Sequence, residues 1–174
     1  KRLLASVVLG YEVMCRLGEA FLGVQYYEGF HPTGTCGTLG AATAAAKVLG
    51  LQEEGFVRAL GIAGTMAAGL EEWKADGSWI KRLNPGHGAQ AGVLAALLSQ
   101  KGYTGPATIL EGRDGFLKAF SFERKWDVNK IVENLGQDFR EYLTSFKPYA
   151  CCRFSHQVID ATLELVGKYG IGPQ

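Results

Sequence analysis

The chain has 174 residues, 47% of them hydrophobic, with 18 Lys and Arg against 17 Asp and Glu, enough for one good core or for one domain plus part of another. A formal charge of +1 with scattered basic residues excludes the basic stripe that a nucleic-acid backbone requires. There is no run of roughly 18 apolar residues and no charged leader before an apolar core, so no membrane partner is implied and the cytoplasm is the expected compartment.

Leu4, Val7, Val8, Tyr11, Met14 and Cys15 recur at three- and four-residue spacing, which predicts a helix from about Leu3 to Phe21 with one apolar face. Gln25 to Thr35 breaks the pattern. The small residues from Gly37 to Leu49 predict a buried helix packed closely on its neighbours, closed by Gly50 in a left-handed cap. Glu53 and Glu54 open a second small-residue helix that runs to roughly Leu70, where carboxylates in the first turn suit the helix dipole. A polar loop from Trp73 to Ile80 leads to another helix, with Pro85 expected in its first turn and Val93, Leu94, Leu97 and Leu98 as its apolar stripe.

The texture changes after Phe120. Phe139, Glu141, Leu143 and Ser145 alternate with Arg140, Tyr142, Thr144 and Phe146, which predicts a strand ended by Lys147-Pro148. Ser155 to Tyr169 reads as a helix with Ser155 as N-cap and Val158, Ile159, Leu163 and Val166 on its buried side. The fold class that follows is mainly α: a helical domain of packed Ala/Gly-rich helices over residues 1–120, then the start of a smaller α+β domain over 121–174.

Three Gly/Pro-marked turns carry the chemistry: Gly29 to Gly34 with His31, Lys81 to Gly86, and Lys147 to His156. Each sets a His or Lys where an element begins or ends, and a fold that gathered them would surround one pocket with positive charge and exchangeable protons, as polycarboxylates require. His31 is either a capping or hydrogen-bonding residue at a helix entrance or a proton-transfer group beside the hydroxyls of Thr33 and Thr35. Lys81 and Lys147 are either solvated charges or cations that counter charge developing on a substrate oxygen. His156 is either a capping residue or a binding residue, with Asp160 one turn along as a group that could orient it. Arg113 and Asp114 read as a local ion pair, and His87 as structural or exposed. Gly34 to Gly40 lacks the strand and the acidic residue of a dinucleotide fingerprint. Cys15, Cys36, Cys151 and Cys152 form no zinc pattern, and adjacent cysteines rarely pair, so reduced thiols are expected.

Those turns, together with Gly10-Tyr11-Glu12-Val13, Ala59 to Gly64, Leu110 to Phe116 and Ser155 to Ala161, occur in an order that resembles the MmgE/PrpD family. That family includes 2-methylcitrate dehydratase, cis-aconitate decarboxylase and iminodisuccinate epimerase. The resemblance implies a lyase or isomerase that moves a proton beside a carboxylate of a small di- or tricarboxylate, with no metal or organic cofactor and a homodimer for the full-length protein. It implies catalytic roles for His31, Lys81 and Lys147, substrate binding by Thr33 and His156, and convergence of these groups. Family members are much longer and carry an upstream Asp-rich motif and a further histidine. A chain that starts at Lys1 within an apolar pattern is therefore expected to be an internal fragment holding about half an active site. The alternative is a noncatalytic helical fragment or interaction module in which the same residues are structural.

Overall fold

The computed structural model describes residues 1–122 and 125–172. The chain divides into two compact units, Lys1–Tyr142 and Leu143–Gln174. The first holds helices α1 (Arg2–Ala20), α2 (Val24–Tyr27), α3 (Pro32–Leu49), α4 (Glu53–Met66), α5 (Ile80–Gln100), α6 (Phe116–Ser121) and α7 (Asn129–Val132), and the second holds α8 (His156–Tyr169). No helix among the described residues is long and apolar enough to cross a membrane.

In the first unit α3 is the central helix, packed on α1, α4 and α5. Its composition explains this position. Thr38, Ala42, Thr43 and Ala46 are buried, and side chains this short let neighbouring backbones approach closely. At the seam with α5, a Cβ on Gly92 would lie 2.6 Å from Ala42 N, Ala41 Cβ and the Thr38 carbonyl oxygen, so only glycine fits. Gly50 closes α3 in the left-handed conformation, φ 73°, as expected of a terminal glycine. Larger apolar residues fill the remaining space: Leu17, Phe21, Leu39, Ile62, Phe116 and Leu117 form one core cluster, with Phe21 and Phe116 edge to face at 5.5 Å.

Close seams invert two of the sequence-predicted faces. On α1 the buried side is Ser6, Gly10, Glu12, Arg16, Leu17 and Ala20, whereas Leu4, Val7, Val8 and Tyr11 are exposed. On α5 the buried residues include Gly88, Ala91, Gly92, Ala95 and Ala96, and Val93, Leu94 and Leu97 face outward. The periodicity predicts the helices correctly, but the small residues, not the large ones, meet the neighbouring backbone.

Pro85 also departs from expectation. It lies inside α5 and not in its first turn, so the Lys81 carbonyl, four residues earlier, has no intrahelical N–H to receive. The alternating stretch from Phe139 to Phe146 forms no strand; Arg140–Leu143 is a 3-10 turn. The reason is the use made of Arg140, whose backbone N–H donates to the Glu12 carboxylate and whose guanidinium pairs with Glu19 at 2.9 Å. Glu12 in turn pairs with Arg16, and both are buried. Arg16 donates its remaining N–H groups to the backbone carbonyls of Lys130, Ile131, Glu133 and Asp138, fastening this segment to α1.

In the second unit, Ser155 precedes α8 but makes no side-chain capping bond, because a 3-10 turn at Arg153–Ser155 runs directly into the helix. The expected apolar face is bare: Val158, Leu163 and Val166 are exposed, and His156 is the buried residue of α8.

Candidate active site

His31 owes its position to the residue that follows it. Proline excludes the helical conformation from its predecessor and fits the first helical turn, so His31 is extended (φ −91°, ψ 101°) and α3 starts at Pro32. The His31 backbone is held on both sides, its carbonyl accepting from Thr35 N and its N–H donating to the Gly69 carbonyl at 3.0 Å. That second bond belongs to an antiparallel bridge between Phe30 and Leu70, closed further by Glu71 N donating to Gly29 O at 2.8 Å.

The imidazole is buried and its Nδ1 lies 3.1 Å from Asn84 Nδ2. Asn84, itself buried, comes from the second turn of α5, and the same amide nitrogen donates to the Leu70 carbonyl at 3.2 Å. Lys81 stands three residues before Asn84 and thus on the same face of α5. Its ammonium lies 4.2 Å from the centre of the Trp73 ring, and Trp73 packs tilted against His31 at 6.3 Å. Lys74 forms an ion pair with the buried Glu71 at 2.9 Å and donates to the Tyr26 hydroxyl at 2.8 Å, and the Tyr26 bond followed by the Glu71 contact raises its pKa. His31 therefore sits between one carboxylate and two ammonium groups. Burial pushes its pKa below the ordinary 6.5, Glu71 opposes the shift, and Lys81 and Lys74 reinforce it.

The first unit thus brings His31 and Lys81 together around Trp73. Thr33 is placed differently. It is exposed in the first turn of α3 and lines an apolar groove of about 360 Å³ with Val7, Gly10, Tyr11, Met14 and Pro85. Lys147 and His156 belong to the second unit. Lys147 follows no strand and donates to the Cys151 carbonyl at 3.1 Å. His156 is buried edge-on against Tyr149, with ring centres 5.3 Å apart, and neither of its nitrogens has a hydrogen-bond partner. The expected bond from Asp160 goes elsewhere: its carboxylate accepts from the Tyr149 hydroxyl at 2.6 Å, which, with burial, raises the Tyr149 pKa. Arg153 and His156 line a hollow of about 350 Å³ with Pro148, Phe154, Gln157 and Asp160.

Arg113 and Asp114 form the local ion pair expected of them, at 2.9 Å, and His87 is exposed. The four cysteines are free thiols; burial pushes Cys36 up to about 12. Among the described residues no group of His, Cys, Asp and Glu gathers as a metal site would. Sequence reasoning passes over Asn84 and Trp73. Asn84 stands within the Lys81–Gly86 stretch, which the sequence reads as a turn and which is helical in α5; its partner is 53 positions away, and no local pattern announces that pairing.

Comparison with known proteins places this geometry in context. The sequence model of the MmgE/PrpD N-terminal domain matches residues 1–129. The cis-aconitate decarboxylase of Aspergillus terreus is 33% identical over 170 residues, covering 94% of this chain and 34% of that protein. The cis-aconitate decarboxylase-like protein oryM of Aspergillus oryzae is 30% identical over 172 residues, covering 95% of this chain and 36% of that protein. The human cis-aconitate decarboxylase is 38% identical over 132 residues, 76% of this chain and 27% of that protein. The chain therefore spans about a third of the length of the relatives it matches.

Proposed function

The chain belongs to the MmgE/PrpD family, and from that premise we propose that it is part of a cofactor-independent lyase or isomerase acting on a small di- or tricarboxylate, in which a proton is moved beside a carboxylate. The observation that carries this reading is the meeting of a buried, anchored imidazole and an ammonium group around Trp73. Moving a proton beside a carboxylate piles negative charge onto the carboxylate oxygens. A fixed cation and a fixed hydrogen-bond donor, present before the charge appears, stabilise it without reorganising, and one such donor is worth about 10²–10³ in rate. Stacking on Trp73 restricts the Lys81 ammonium to one side of the site, an interaction of about 0.5–1 kcal/mol where exposed.

Dehydration, decarboxylation and epimerisation share this charged step and differ in what leaves. The names of the relatives make cis-aconitate the first acid to test. Lys147 as a second charge-stabilising catalytic group, and His156 and Thr33 as substrate contacts, enter the reading through the resemblance alone.

The experiment uses the full-length protein in D2O with cis-aconitate, then with citrate-like and succinate-like acids, followed by proton NMR. Proton exchange or turnover with at least one acid, abolished in His31→Gln and in Lys81→Ala, is the expected result. Inertness toward every acid, or wild-type activity in both variants, would return these residues to a structural role.

A further inference from the structure

We propose that Asn84 is a positioning residue that holds His31 as its Nε2–H tautomer, so that the imidazole meets substrate as a hydrogen-bond donor and does not itself take the proton from carbon. This rests on the functional reading above for the meeting with substrate; the tautomer follows from the geometry alone.

The orientation of the Asn84 amide is decided by its two neighbours. One amide atom lies 3.1 Å from His31 Nδ1 and 3.2 Å from the Leu70 carbonyl oxygen. A carbonyl oxygen only accepts, so an amide oxygen at that point would set two acceptors against each other, whereas an NH2 group has one hydrogen for each neighbour. With both hydrogens committed, Nδ1 must present its lone pair. The proton of the neutral ring is then on Nε2.

The framework around these atoms leaves the amide little freedom. His31 and Leu70 flank one backbone bridge, tied by the His31–Gly69 and Glu71–Gly29 bonds, and Asn84 is buried on α5 where that helix meets α3. A second ring proton on Nδ1 would point at an N–H group. Of the charged groups acting on the ring, Lys81 on α5 and Lys74 beside Trp73 also disfavour it, and Glu71 alone favours it. The working ring is therefore neutral, with Nε2–H turned away from Asn84. A substrate oxygen that gains charge can receive this hydrogen bond while Lys81 supplies the counter-charge. A ring in this state has no lone pair free for a C–H proton, so proton removal falls to another group.

The test is magic-angle-spinning 15N NMR on the full-length protein with labelled histidines, in which the His31 signals are assigned by their loss in His31→Gln. A bare Nδ1 and a protonated Nε2 at pH 7–8 are expected in the wild type. Asn84→Asp offers Nδ1 an acceptor and a negative charge. It should move the proton to Nδ1 and raise the ring's titration midpoint by about one unit or more. The acid limb of the rate profile with cis-aconitate should rise with it, whereas a merely structural lesion would scale the rate equally at all pH values. A wild-type ring protonated on Nδ1, or an unchanged tautomer in Asn84→Asp, would overturn the proposal. An Nε2–H ring together with full turnover in His31→Gln would instead overturn the functional reading and leave the tautomer standing.

Discussion

His31 and His156 are both buried and both precede or open a helix, yet their surroundings differ in kind. His31 is gripped through its backbone by the Gly69 carbonyl and through Nδ1 by Asn84. His156 lies against the edge of Tyr149 with both ring nitrogens unpaired, while the nearby carboxylate of Asp160 is taken by the Tyr149 hydroxyl. Burial alone does not prepare a histidine for chemistry. A partner at one ring nitrogen holds the ring in place, and for His31 that partner comes from a different helix.

The comparison breaks most visibly in catalysis. His31→Gln and Lys81→Ala in the full-length protein should each lower kcat/KM by about 10²–10³, the usual loss for one charge-stabilising donor, with the melting temperature little changed in Lys81→Ala. Steady-state rates with the acid identified by NMR provide the check. Losses below tenfold in both variants would place the two histidines on the same footing.

Next in size is the seam that presents Asn84 to His31. Gly92→Ala inserts a Cβ 2.6 Å from three atoms of α3 and should cost about 1–3 kcal/mol by overpacking, read as a lower urea midpoint. A neutral substitution would mean that α3 and α5 can separate freely.

His31→Phe leaves one Asn84 N–H unpaired and should destabilise by about 1–3 kcal/mol, whereas His156→Phe removes two unpaired buried nitrogens and should be neutral or stabilising. Thermal melts of the two variants side by side test the contrast directly. Equal losses would show that His156 has a partner in the full-length protein.

The smallest effect is on pH dependence. Because burial lowers the His31 pKa, the unfolded chain binds a proton at a pH where the folded chain does not. The stability linked to this ring is complete above 6.5 and drains away as pH falls toward the lowered folded value. Melting temperatures of the wild type should decline below pH 6.5 more steeply than those of His31→Gln.

The five longer helices were legible in the sequence because three- and four-residue spacing reports the helical period whatever covers the helix, whereas α2, α6 and α7 span only 4, 6 and 4 residues, too few to show a period. The covered face was not legible, since spacing cannot tell whether the large residues or the small ones meet a neighbour; on α1 and α5 the small ones do. The alternation near Arg140 misled for a related reason. A period of two is also compatible with a short turn, and bonds to Glu12 and Glu19, more than a hundred positions upstream, set the conformation. His31 and Lys81 were legible because Pro and Gly single out the stretches that carry them, but only the first is a turn before a helix; Lys81–Gly86 is helical, inside α5. Asn84 was not legible, because its role exists only once α5 lies beside the Phe30–Leu70 bridge.

The Arg16 clamp has a consequence for biosynthesis. Its last acceptor, the Asp138 carbonyl, is 122 positions downstream, and a ribosome adds about 5–20 residues per second, so Arg16 waits roughly 6–24 s for its full set of partners. During that interval α1 can form but cannot bury its guanidinium favourably, since the desolvated charge would lack most of its hydrogen bonds. Although α1 is made before the other helices of this unit, it is thereby among the last of them to dock, and the nascent chain stays open to handling by chaperones until the segment after α7 has emerged.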